Sequence, residues 1–142
     1  MGHLFVAAGA LYAALAVAAG AFGAHTLAGR LDPRSLELWE SAARYLMYGG
    51  LGLIACGVLE RVWAERLLVA AGWCLAVGAV VFSGTVFVLA LGGPRIFGAI
   101  TPVGGLLLIA GFAAIAWAAV DRHLEAEEEA EETASVETSA EG

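Results

Sequence analysis

Four stretches of this sequence are apolar for long enough to cross a lipid bilayer. A hydrocarbon core of about 30 Å takes about 20 helical residues. Leu4 to Gly23, Leu67 to Leu91 and Ile96 to Val120 each supply that length. The remaining stretch is uncharged only from Tyr45 to Leu59, but upstream of it stand Asp32, a good N-cap, and Pro33, a good first helical residue. A helix from Pro33 to Glu60 would measure about 42 Å at 1.5 Å per residue. Its first turns then lie in the headgroup layer, which suits Trp39, Tyr45 and Tyr48. Composition agrees: AVILMFWYC residues make up 61% of the 142-residue chain, before 19 glycines are added. Soluble domains run about 45–50% apolar with glycine included. In hydrocarbon the backbone must satisfy its own polar groups, so the segments are helices. The fold class is all-α, an integral membrane four-helix transmembrane bundle over residues 1–123. The connections Glu60 to Arg66 and Gly92 to Arg95 are short, which makes helices two, three and four antiparallel neighbours.

The formal charge of −7 belongs to one end. Eight of the fourteen acids lie between Glu125 and Glu141, whereas up to Leu124 six acids face seven Arg. Residues 124–142 hold no aromatic and one Val, too little apolar area to offset ordering entropy, and are expected to form a disordered acidic tail. A few more turns of helix four are the other option, since Ala and Glu favour helix. No basic patch tracks a phosphate backbone, so nucleic acid is not a partner. Cys56 and Cys74 sit in apolar runs without metal or redox spacing and read as buried thiols. His3 and His123 fall on one membrane side and His25 on the other, which leaves no metal site. No cofactor motif is present. The first apolar run has no preceding Arg or Lys and is longer than a secretory h-region, so it reads as a retained helix. Arg61, Arg66 and Arg122 on the side of both termini balance Arg30, Arg34 and Arg95 opposite, and orientation stays open.

Polar side chains are few, and four helices deliver them to one leaflet. His25 ends helix one. Glu40, Arg44, Tyr45 and Tyr48 begin helix two. Ser83 and Thr85 lie in the far half of helix three, and Thr101 begins helix four beside Pro102. Glu40 and Arg44 are spaced i, i+4 in the order that favours pairing. Two readings follow: a neutralised pair that sets helix depth, or a polar pocket with His25 as proton acceptor. Pro102 frees a carbonyl four residues back, as in a kinked helix or in the broken helix of a transporter. Gly20, Gly23, Gly84, Gly104 and Gly105, with Pro102, are candidates for close helix packing.

The string Gly20-Ala21-Phe22-Gly23-Ala24-His25 resembles the signature of a family of small four-helix membrane proteins, domain of unknown function 423, which includes transmembrane protein 256. Leu31-Asp32-Pro33, Trp39 to Tyr45, Val81 to Thr85 and Gly98 to Gly105 resemble its later motifs in the same order. The resemblance covers roughly residues 20 to 117. It implies a multi-pass protein of the cell membrane, the inner membrane in a bacterium, and no assigned reaction. The chain departs from the pattern where Gln and then His are expected after Tyr45; Leu46 and Gly49 stand there. The leading expectation is a non-enzymatic membrane protein embedded in lipid, working as a homo-oligomer or as an accessory subunit of a membrane-protein partner. The alternative is a small transporter or proton-coupled permease that uses the polar cluster.

Overall fold

The structure, a computed structural model, describes the backbone of residues 1–140 and the side chains of residues 1–131. Helix α1 spans Gly2–Phe22 and runs on through one π-helical turn, Gly23–Leu27. Helices α2 (Pro33–Trp63), α3 (Arg66–Ala90) and α4 (Ile96–Ala140) follow. All four are long and apolar enough to cross a membrane. The π turn carries the first helix beyond the expected end at Gly23, so the first connection shrinks to a few residues.

The helix ends follow the local chemistry. Asp32 is extended, and its carboxylate accepts from the amides of Arg34 at 3.0 Å and Ser35 at 3.2 Å. Hydrogen bonding from Ser35, side chain first and then backbone, holds the Asp32 carboxyl below its ordinary range. A depressed acid stabilises the fold above its unfolded pKa, and the contribution fades as pH falls through the folded value. Helix α2 stops at Ala64, whose left-handed backbone (φ 54°) returns its amide to the Glu60 carbonyl at 2.9 Å. The α3–α4 turn uses Gly92 at φ +81°, where a side chain would be strained.

Of the two options for the acidic segment, the described backbone follows the prolonged helix. Helix α4 continues to Ala140, with residues 119–131 exposed. Extension from a formed helix needs no new nucleus. Arg122 donates to Glu125 at 2.9 Å, and His123 lies 3.5 Å from Glu127, one turn on.

Packing is sequential. Helix α1 packs on α2, α2 on α3 and α3 on α4; α1–α3 and α2–α4 touch lightly, and α1 and α4 do not meet among the described residues. The bundle is therefore open, with α2 and α3 inside and α1 and α4 as flanks. Half of the apolar α2 window is buried, against 17% for α1 and 22% for α4. Phe5, Leu53, Cys56, Leu68, Leu75 and Leu108 form the core. Val17, Leu106, Ile109 and Trp117 face outward, where acyl chains replace water.

Glycine decides how close the helices come. A Cβ on Gly9 would lie 2.5 Å from the Gly50 carbonyl oxygen, and one on Gly50 would lie 2.8 Å from that of Gly9. On the other flank a Cβ on Gly78 would sit 2.9 Å from the Leu108 amide. In lipid, association rests on this kind of van der Waals contact between small-residue faces. Gly50→Val should push α1 from α2 and cost about 1–3 kcal/mol, the usual range for overpacking. Gly20→Ala, where nothing lies within 4 Å of an added Cβ, should stay within about 0.5 kcal/mol. Melting of the two variants in detergent micelles checks the contrast.

Candidate functional site

The end of the bundle that holds the π turn also holds the candidate residues. An indole organises it. Trp39, on the second turn of α2, donates from Nε1 to the Ala19 carbonyl at 2.8 Å. Its ring lies over Gly23, where a Cβ would meet Trp39 Cδ1 at 2.7 Å. It also packs on Phe87 of α3 at a centroid distance of 4.6 Å and on Phe22 at 6.0 Å. The Gly23 amide is shared between the Ala19 and Gly20 carbonyls, and the Gly23 carbonyl takes the Ala28 amide at 3.0 Å, the i+5 spacing of a π turn. Such turns are often found at functional sites. The string around Gly23 thus makes a widened turn that receives Trp39. Sequence reasoning placed Trp39 in the interfacial belt and at the head of a family motif, without its contact to Gly23; its spacing from a glycine-rich helix end was the available signal.

The polar cluster divides into an outer and a buried set. His25 is exposed on the π turn, and Glu40 and Arg44 are exposed on α2. No ion pair joins Glu40 to Arg44 or His25 to Glu40. Glu40, Arg44 and Tyr48 instead line a groove of about 380 Å³ between α2 and α1, whose far wall includes Gly20. Tyr45 packs on Phe82 at 4.4 Å and edge-on to Tyr48 at 5.6 Å. These three rings, with Leu108, Ile109 and Phe112, line a second, apolar groove of about 680 Å³ between α2 and α4.

The buried set lies on α3 and α4. Thr85 Oγ1 and Thr101 Oγ1 are 2.8 Å apart and join the two helices. Each also reaches backbone carbonyls of its own helix: Thr85 those of Val81 (2.8 Å) and Phe82 (3.0 Å), Thr101 that of Phe97 (2.9 Å). Thr101 therefore bonds Phe97 and not Gly98, the carbonyl that Pro102 releases. Ser83 is buried, and its hydroxyl has no partner among the described residues.

The glycine candidates also separate. Gly23 meets Trp39, Gly104 meets the Phe82 backbone, and Gly105 touches the Phe82 ring at ordinary contact distance. Gly20 and Gly84 have nothing within 4 Å of an added Cβ, and Pro102 is exposed. The two glycines therefore do not pack helices within the chain. At the departures from the family pattern, Leu46 is buried and Gly49 meets Ala79. Those positions are closed by packing.

Glu60, at the opposite end, was missed. It accepts from the Gly2 amide at 2.6 Å and lies 3.6 Å from the terminal ammonium. No group of three or more His, Cys, Asp or Glu among the described residues could hold a metal ion.

A family model described as a protein of unknown function, DUF423, matches residues 19–105. That span runs from the carbonyl that takes the Trp39 indole to Gly105 in the larger groove. A UPF0382 membrane protein of Staphylococcus haemolyticus is 50% identical over 109 residues, 77% of this chain and 88% of that protein. One from Staphylococcus saprophyticus is 47% identical, over 77% of this chain and 90% of its own. The UPF0382 membrane protein YwdK of Bacillus subtilis is 39% identical over 118 residues, 82% of this chain and 96% of its own. No solved structure matches.

Trp39→Phe keeps a ring over Gly23 but leaves the Ala19 carbonyl without the indole donor. It should lower stability by about 0.5–1.5 kcal/mol, the usual worth of one hydrogen bond, read as a lower melting temperature in micelles. A double-mutant cycle of Thr85→Val and Thr101→Val should give a coupling of about 0.6 kcal/mol, typical between membrane helices.

Proposed function

The chain belongs to the DUF423 family of membrane proteins, and from that premise we propose that it acts without catalysis, as a homo-oligomer assembled within the bilayer. The observation that carries this reading is the α2–α4 groove. It is about 680 Å³, almost wholly apolar, and lined by Tyr45, Tyr48, Phe82 and Phe112. It exists because α2 and α4 touch only lightly and α1 lies on the far flank. A helix of a second copy fits such a channel by van der Waals contact, and a two-fold pair would fill both grooves with the same surface.

The chemistry near the groove favours assembly over turnover or conduction. The Cys56 thiol donates to the Leu68 carbonyl at 2.8 Å in the core. The Thr85 and Thr101 hydroxyls are engaged with each other and with backbone carbonyls. Glu40 and Arg44 stand on the outside, so a polar path for a solute or proton would have to be built by several copies.

A photocrosslinking residue at position 109, where Ile109 lines the groove and is 67% exposed, tests the proposal in native membranes. A covalent product of twice the chain mass is expected, and Ala113→Trp, which fills the groove, should reduce it several-fold. Monomer alone, or a product with a different protein, overturns self-assembly; the latter would make the chain an accessory subunit.

A further inference from the structure

We propose that the α1–α2 groove at Glu40 and Arg44 binds a phospholipid whose zwitterionic head carries a phosphate and a primary ammonium, as in phosphatidylethanolamine. The groove is distinct from the α2–α4 channel, although Tyr48 borders both.

Three features support that occupant. The first is charge. Glu40 and Arg44 stand one turn apart in the order that normally pairs, yet each is exposed and no ion pair joins them. Each presents an unused charge to the same groove. An anionic head would satisfy Arg44 and be repelled by Glu40, whereas a head with both signs meets both. The second is depth. The uncharged part of α2 begins at Tyr45, so these two residues stand at the headgroup edge of the hydrocarbon. An uncompensated charge there is costly. The third is space. Nothing lies within 4 Å of a Cβ placed on Gly20, in the wall that α1 contributes. Ala16, Ala43 and Met47 complete an apolar floor for acyl chain below the head.

The donor inventory selects the head further. A carboxylate only accepts, and a primary ammonium brings three N–H donors. A quaternary ammonium brings none. The guanidinium in turn matches phosphate oxygens with paired donors.

Native mass spectrometry of the purified full-length chain in detergent, titrated with dioleoyl phosphatidylethanolamine, phosphatidylcholine or phosphatidylglycerol, tests this. Phosphatidylethanolamine should bind about fivefold more tightly than either of the others, the upper range of one exposed ion pair. Arg44→Gln should weaken it by a similar factor. Glu40→Gln should invert the preference, because Arg44 then acts alone and phosphatidylglycerol binds at least as well as phosphatidylethanolamine. An inverted preference cannot arise from a misfolded variant. Equal retention of the three lipids by the unaltered chain, or an unchanged preference in Glu40→Gln, overturns the site. Gly20→Leu, which fills the α1 wall, should weaken binding of phosphatidylethanolamine; unaltered binding there also counts against it.

Discussion

Backbone-to-backbone approach at glycine is the contact on which this bundle depends. Water drives soluble helices together by expelling itself from apolar faces, but acyl chains are as apolar as the helices they surround. Association must come from better van der Waals contact than lipid offers, and that needs helices without side chains between them. Gly9 against Gly50, Gly57 against Gly2, and Gly78 against the α4 backbone provide it. At these positions glycine is what lets one helix backbone approach its neighbour. Large residues are displaced to the surface, where Leu11, Val17, Leu106 and Ile109 are more than half exposed.

Contacts of this kind hold helices close but fix rotation and depth weakly, and the few polar bonds supply the rest. At one end Trp39 ties α2 to the π turn of α1 while its ring leans on Phe87 of α3. Nearby, Thr85 and Thr101 tie α3 to α4. At the other end Glu60 holds the start of α1, and Arg122 of α4 lies 3.8 Å from Glu65 beside the α2–α3 turn. Directional bonds at the ends thus set the α1–α2 and α3–α4 interfaces in register, and in the core the Cys56 thiol donates to the Leu68 carbonyl between α2 and α3.

The architecture was legible because it follows from length and polarity alone. Four apolar runs, an Asp-Pro start and two short connections determine the helix count and the antiparallel order. Helix direction likewise places residues 25, 40, 83 and 101 toward one end of the bundle. What periodicity could not give is rotation about each helix axis. Ser83 turns inward and Glu40 outward, and Gly23 meets an indole while Gly20, one turn earlier, meets nothing. In a helix that is apolar all round, no amphipathic stripe marks the inner face, so glycines that pack cannot be told from glycines that face lipid. In the acidic segment composition and continuity pull in different directions. Its composition lacks any reason to pack, but a helix already formed at Val120 can be prolonged through Ala and Glu at little cost.

An open layer has consequences for where function can reside. Four helices that close around an axis can enclose polar groups; four that pack in sequence cannot, because α1 and α4 do not meet among the described residues to complete a wall. Here the interior is spent on glycine contacts and on hydroxyls engaged in bonds, apart from Ser83. What remains available lies outside, and two of the surface grooves flank Tyr48. One is apolar and aromatic, the other carries an unpaired acid and an unpaired base at the membrane edge. Such surfaces face the other molecules of the bilayer, protein and lipid alike.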